Sequence, residues 1–216
     1  KVVVANGANA NKAVVLARTS GEQFDRDGLS LFIVDLEGAG VERFGYPMMD
    51  GQRCANLTFD GAAAELLGDE GAAMDVVDAL VREATIALAA EAIGCMGTLN
   101  AKTLEYTKQR EQFGVAISSF QALKHRMVDT MMAYEQAKSL LYKAVCEFQE
   151  SPEKADITVH ALKVLLDRNA KLIYGESIQL HGGMGITDEL DIGHYAKRLM
   201  MINATFADAT YHRNHY

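Results

Sequence analysis

The 216-residue sequence contains no tryptophan, two prolines and three cysteines. With proline confined to Pro47 and Pro152, most of the chain carries no helix breaker. Cys54, Cys95 and Cys146 are odd in number, far apart and in no C-x-x-C pair. That arrangement argues against a disulfide framework and against a structural zinc site, and it fits a reducing, cytoplasmic setting. No uninterrupted apolar run approaches the roughly 20 residues of a membrane-spanning helix, and no basic segment precedes an apolar one at the start. Excess positive charge is also lacking: 21 Lys and Arg stand against 29 Asp and Glu, a formal net charge of −8. A nucleic-acid or anionic-membrane surface calls for a basic face, so small-molecule or protein partners are expected, with no nucleic acid and no membrane span. The chain begins at Lys1, and "KVVVANGANANKAVVLART" reads as the middle of a fold, which predicts a fragment of something longer.

What is present is an ordinary globular composition, 49% hydrophobic and 23% charged, sufficient for one large domain or two unequal ones. The texture changes once. In residues 1–68, "AVVLART" (13–19), "LSLFIVDL" (29–36), "VERFGYPM" (41–48) and "CANLTFD" (54–60) read as strands between Gly- and Asp-bearing turns. The connections are too short for crossover helices, so the sheet is expected to be antiparallel. Residues 69–216 read as helical. In the segment 120–148, Phe120, Leu123, Met127, Met131, Tyr134, Leu141, Val145 and Phe148 recur at three and four residues. In 71–110 the corresponding face is Val77, Leu80, Ala84, Leu88, Ala92, Cys95 and Leu99. A third helix is expected over 152–181 with Ser151 as N-cap and Pro152 at its first position, and a fourth from about Thr187 and Asp188. The predicted fold class is α+β, mostly α: a partial antiparallel β domain followed by an up-and-down four-helix bundle.

One stretch raises a question of chemistry. "QLHGGMGIT" (179–187) places three glycines within four residues at the end of a helical pattern. Glycine-rich phosphate loops usually open a helix, where free N–H groups meet the anion. Taken alone, Gly182 and Gly183 form a helix C-cap and turn, Arg110 complements a helix C-terminus, and Gln121 is a solvated polar residue. It is the combination of "QREQFGVAISSFQALKHRMVDT" (109–130) with "IQLHGGMGITDELDIGHYAKR" (178–198) that adds information.

In both motifs, their order and their spacing, the chain resembles the acyl-CoA dehydrogenases, flavoproteins that place a double bond between the α and β carbons of an acyl-CoA. Residues 1–68 resemble the later part of that family's middle β domain and residues 69–216 its C-terminal helical domain, while its N-terminal helical domain lies outside this chain. The resemblance implies FAD as cofactor. It gives Arg110 the FAD pyrophosphate, Phe113 and Gln121 packing and hydrogen bonding to the same cofactor, and Gln179, Leu180, His181, Gly182 and Gly183 a path along the FAD of a neighbouring subunit. Planar guanidinium donors suit phosphate oxygens, and bare glycine permits close backbone approach. It further implies an acyl-CoA substrate, electron-transfer flavoprotein as acceptor, a homo- or hetero-tetramer, and a place in fatty acid or dicarboxylate catabolism.

The catalytic base does not fit as readily. The family's reaction needs a carboxylate to take the α proton while the flavin takes up the electrons. In most members that glutamate lies in an E-G-T stretch. Counting from Gln179 puts it at Thr205 or Phe206, with Ala207 where glycine is usual. An alternative position on the first helix falls on Ala84. Glu83 is adjacent but rotated by about 100°, and Asp208 is expected beside the flavin, so both are weak candidates. The tail from 188 is similar to the small subunit of pimeloyl-CoA dehydrogenase-type enzymes, which favours a heteromeric partner holding the base. The alternatives are an unusual base, a family relative such as an oxidase, a catalytically silent FAD-binding or assembly subunit, and a non-enzymatic helical interaction protein. His212 and His215 are at i, i+3 spacing but lack a third ligand, so no metal is expected. His181, His194, Tyr195 and the ten methionines read as packing and local hydrogen bonding.

Overall fold

A computed structural model describes residues 1–216, which divide into two compact units, Lys1–Leu80 and Val81–Tyr216. In the first unit, β2 (Lys12–Arg18) and β3 (Leu29–Asp35) pair antiparallel from Lys12↔Asp35 to Arg18↔Leu29. β4 (Val41–Pro47) and β5 (Arg53–Phe59) pair in the same sense around the "MDGQ" turn. The four strands read from the sequence are therefore present within a residue or two. Two more were not legible. β1 (Val4–Ala5) adds to β5, and β6 (Ala64–Leu67) adds to β3. All four β6 residues are exposed, so β6 has no alternating pattern and is a strand because its backbone pairs with β3.

The second unit takes in most of α1 (Met74–Gln109), followed by α2 (Gln121–Glu150), α3 (Asp156–His181), α4 (Ile192–Ala204) and α5 (Ala209–Asn214). The bundle is held by a sealed core of Met96, Leu99, Leu162, Leu166, Ile173, Ile192, Leu199 and Ile202. Ala89, Ala92, Ala133, Ala137, Ala144 and Ala170 are buried among them, so the helices meet through small side chains. This corrects the expected faces. On α1 the buried stripe runs through Ile86, Ala89, Ala92, Ile93, Met96, Leu99, Thr103 and Thr107; of the expected face Ala92 and Leu99 are buried, Leu80 is exposed, and Leu88 and Cys95 are only partly buried. On α2, Met131 is exposed while Thr130, Ala133 and Ala137 are buried. On α2 the contact runs through alanine with the bulky Met131 outside it, so a reading weighted by size picks the flank; on α1 the buried Ile86, Ile93 and Met96 are themselves bulky.

Two helix starts also differ from expectation. Ser151 caps no backbone N–H; its hydroxyl bonds the Glu153 carboxylate at 2.5 Å, and a 3-10 turn, Pro152–Ala155, precedes α3. The fourth helix begins at Ile192 because a second 3-10 turn, Gly182–Ile186, and the polar residues after it intervene. Asp191 then pairs with Lys102 at 2.9 Å instead of capping α4.

The far end of α4 is closed by an unexpected residue. Lys163 of α3 is buried, and its ammonium donates to the carbonyls of Ile202 at 3.0 Å, Asn203 at 3.2 Å and Thr205 at 2.7 Å. The last carbonyls of a helix have no intrahelical donor and carry partial negative charge, so a cation there satisfies both needs. Burial pushes the Lys163 pKa down to about 8, opposed by Asp167 and Asp208, which leaves it charged at neutral pH. Lys163→Met should therefore lower the unfolding free energy by roughly 2–3 kcal/mol, since it leaves the Asn203 and Thr205 carbonyls without a donor and Ile202 O with the Thr205 N–H alone. Urea denaturation at pH 7 measures this, and an unchanged midpoint would contradict it.

Candidate functional site

The glycines of the opening question have three different reasons. Gly182 ends α3 with φ 59° and ψ −139°, a conformation closed to residues with a Cβ, and its N–H bonds the Gln179 carbonyl. A Cβ on Gly185 would stand 2.5 Å from the Ile178 carbonyl oxygen, so packing excludes any side chain there. Gly183 has neither constraint: its φ is not positive and no atom lies within 4 Å of a built Cβ. The cap reading thus explains Gly182 and packing explains Gly185, while the bareness of Gly183 serves only the space in front of it. His181 holds this loop in place. It is buried, its Nδ1–H donates to Ser177 O at 2.7 Å, its ring stacks on Tyr106 with centroids 4.3 Å apart, and the Tyr106 hydroxyl donates to His181 O at 3.2 Å.

Tyr106 lies in the last turn of α1, and Arg110 follows immediately, its N–H bonded to Tyr106 O at 2.8 Å. A two-residue hairpin comes next: β7 (Glu111–Gln112) pairs with β8 (Val115–Ala116) across Phe113 at φ 58° and Gly114 at φ 80°. Two successive positive φ angles make a type I′ turn, which suits glycine or asparagine and is costly for phenylalanine. Phe113 is 93% exposed and touches only the edge of Phe120, with centroids 6.2 Å apart.

These elements enclose a cavity of about 510 Å³. Its walls include Tyr106, Arg110 and Gln112 on one side, Ile117, Leu123 and Arg126 on another, and the loop from Gln179 to Met184 with Thr187 on the third. Arg110, Gln179, Leu180, His181, Gly182 and Gly183 are thereby brought together from segments about seventy residues apart. Phe113 and Gln121 lie close by in sequence but outside the cavity wall. No carboxylate lines it, although the chain as a whole is acidic. The Arg110 guanidinium makes no hydrogen bond or ion pair within the protein. Arg126, which the sequence reading passed over, donates from Nε to Glu176 Oε2 at 2.5 Å.

The other candidates sit elsewhere. Glu83 is exposed on α1. Asp208 caps α5, accepting the Tyr211 N–H at 2.9 Å. Just before it, Phe206 at φ 53° and Ala207 at φ 72° form a left-handed turn, so Ala207 holds a glycine-type backbone at the position where glycine was counted. The Phe206 carbonyl is bonded by His212 Nε2 at 2.9 Å, and His212 Nδ1 lies 2.8 Å from His160 Nδ1. Because a carbonyl only accepts, His212 carries its proton on Nε2, and His160 donates from Nδ1. Both imidazoles have lowered pKa values, chiefly through burial, with neighbouring His215 adding repulsion at His160. His160 is the member of this pair with no sequence signal, since only the fold sets it against the tail.

A family model described as the acyl-CoA dehydrogenase C-terminal domain matches residues 74–205. The chain belongs to the acyl-CoA dehydrogenase family. It is 28% identical over 207 residues to the short-chain-specific acyl-CoA dehydrogenase of Megasphaera elsdenii, covering 91% of this chain and 52% of that protein. It is 32% identical over 152 residues to acyl-CoA dehydrogenase IpdE2 of Mycolicibacterium smegmatis, covering 70% of this chain and 44% of the other. Among solved structures, a variant of the steroid ACAD Tcur3481-Tcur3483 superposes with a TM-score of 0.84 at 27% identity, over 100% of this chain and 56% of that one. The chain spans about half the length of the curated relatives it matches. No helix is long and apolar enough to cross a membrane.

Two outcomes follow for the turn after α4. Ala207→Gly should raise the unfolding free energy by about 0.5–1 kcal/mol by relieving the positive φ, and a lower value in denaturant titration would contradict this. With both imidazoles below their unfolded value near 6.5, the unfolded chain binds more protons as pH drops past that point. Stability from this pair is present above pH about 6.5 and is lost as pH falls through the folded pKa values. Amide exchange in α5 should accelerate over that range, and pH-independent protection would speak against the histidine pairing.

Proposed function

We propose that the chain is one subunit of an FAD-dependent acyl-CoA α,β-dehydrogenase, and that the cavity at the ends of α1 and α3 takes the diphosphate of FAD bound mainly by a neighbouring subunit. The observation that supports it is the convergence of Arg110 and the Gln179–Gly183 loop on one cavity that no carboxylate lines. An unpaired guanidinium meets phosphate oxygens with two parallel donors, and the exposed backbone at Gly182 and Gly183 lets a flat, charged ligand lie close. Phe113, held outward on a turn that a phenylalanine does not favour, and Gln121 at the first turn of α2 are positioned to extend that contact toward the same cofactor. Residues 1–68 are proposed as the later part of the middle β domain and residues 69–216 as the C-terminal helical domain.

The flavin supplies electron acceptance when bound. This chain's residues bind and orient it; none is placed to take the α proton. Phe206 and Ala207 occupy the turn where that carboxylate was counted, Asp208 is committed to the α5 cap, and Glu83 faces solvent. We therefore assign the base to a homologous partner in a heteromeric assembly, which makes this chain the FAD-completing subunit. Acyl-CoA is the substrate of that assembly, and electron-transfer flavoprotein its acceptor. The second reading is a catalytically silent assembly subunit, supported by the same missing carboxylate.

The full-length protein, co-expressed with its partner, should purify yellow. Arg110→Ala should reduce bound flavin at least tenfold while leaving the subunit assembly intact. Colourless wild-type protein that takes up no FAD would overturn the proposal. Dehydrogenation of acyl-CoA by a homo-oligomer of this chain, lost in Glu83→Gln, would overturn the assignment of the base to a partner.

A further inference from the structure

The cavity holds a second guanidinium that the reading above leaves unused. Arg126, in the second turn of α2, lines the same space as Arg110, and the two reach it from different elements. Its Nε is engaged by Glu176 of α3, whose carboxylate is not part of the cavity wall. That bond fixes the plane of the guanidinium from one edge. It leaves the two terminal nitrogens with no partner in the protein. Those two nitrogens are on the side of Arg126 left open by Glu176, whereas in the Arg198–Glu91 pair Nε and a terminal nitrogen each bond one oxygen, at 2.5 and 2.7 Å.

We infer that Arg126 is a second diphosphate ligand, forming with Arg110 a two-guanidinium clamp in which each side chain takes one phosphate, and that Glu176 is the residue that positions Arg126. The inference rests on the FAD reading of this cavity. Its chemistry is a matter of count: a diphosphate diester carries one negative charge on each phosphate, and the cavity offers two cations and no carboxylate. A single arginine would leave one of the two phosphates without a cation from this chain. Charge-assisted bonds to both phosphates add directionality, because each planar fork fixes the oxygens it meets. The opposite wall, Gly182 and Gly183, has no side chain to compete for that space.

The test is titration of the full-length apo-assembly with FAD and with ADP, which keeps the adenosine and a diphosphate but lacks the flavin. Arg126→Gln should weaken both ligands by roughly ten- to hundredfold and flatten the salt dependence of ADP binding, with the thermal midpoint little changed. The double variant Arg126→Met with Glu176→Met removes the ion pair from both sides and so keeps the fold if the single variant loses it; it should show the same loss. If either variant binds ADP and FAD as tightly as wild type while Arg110→Ala binds them weakly, Arg126 is a structural partner of Glu176, and the clamp is wrong although the FAD site stands. If the wild-type assembly binds neither ligand, the FAD reading itself fails and the clamp with it.

Discussion

The contact on which the rest depends is the stacking of Tyr106 on His181. It joins the last turn of α1 to the last turn of α3, and the Tyr106 hydroxyl on the His181 carbonyl fixes their relative height. Arg110 follows one partner within a turn and Gly182 follows the other directly. The cationic and the bare wall of the cavity are thus placed by one aromatic pair. Behind it, α2 and α3 pack closely, with Ala133, Ala137 and Ala170 buried in the shared core. The glycine loop is in this sense the end of a packing problem: α3 must stop where α1 stops, and Gly182 is the residue that permits the stop.

The turn after α4 is held by donors from α3 and α5. The main chain at Phe206 and Ala207 is left-handed, and donors surround it: Lys163 on three carbonyls and His212 on a fourth. A buried ammonium is costly unless it is satisfied, so the close geometry at Lys163 is what makes the turn rigid. Thr205, Phe206 and Ala207 contribute no carboxylate to this turn.

Most of the fold was legible in the sequence. Strands with β-branched runs between Gly and Asp turns, and three long helical patterns, announce themselves through periodicity. What escaped has identifiable causes. β6 and the hairpin around Phe113 exist through backbone pairing, which leaves little side-chain pattern. On α2 the expected face differs because the buried Ala133 and Ala137 carry less weight than the exposed Met131 beside them. Of the cavity's lining, Arg110 and the glycine loop stand in the two motifs singled out in the sequence, whereas Arg126, and away from the cavity Lys163 and His160, carry no sequence signal. Each of those three earns its role from a partner on another element, a relation that exists only once the chain is folded.

The central claim is that the cavity bounded by Arg110 and Gly182–Gly183 completes the diphosphate site of a cofactor held by another subunit. A crystal structure of the assembled protein with FAD bound tests it most directly. The account predicts the Arg110 guanidinium at about 3 Å from a diphosphate oxygen, with the isoalloxazine ring seated mainly on a different subunit. A structure in which this cavity is filled by side chains of a neighbouring subunit, with the diphosphate bound elsewhere, would contradict it.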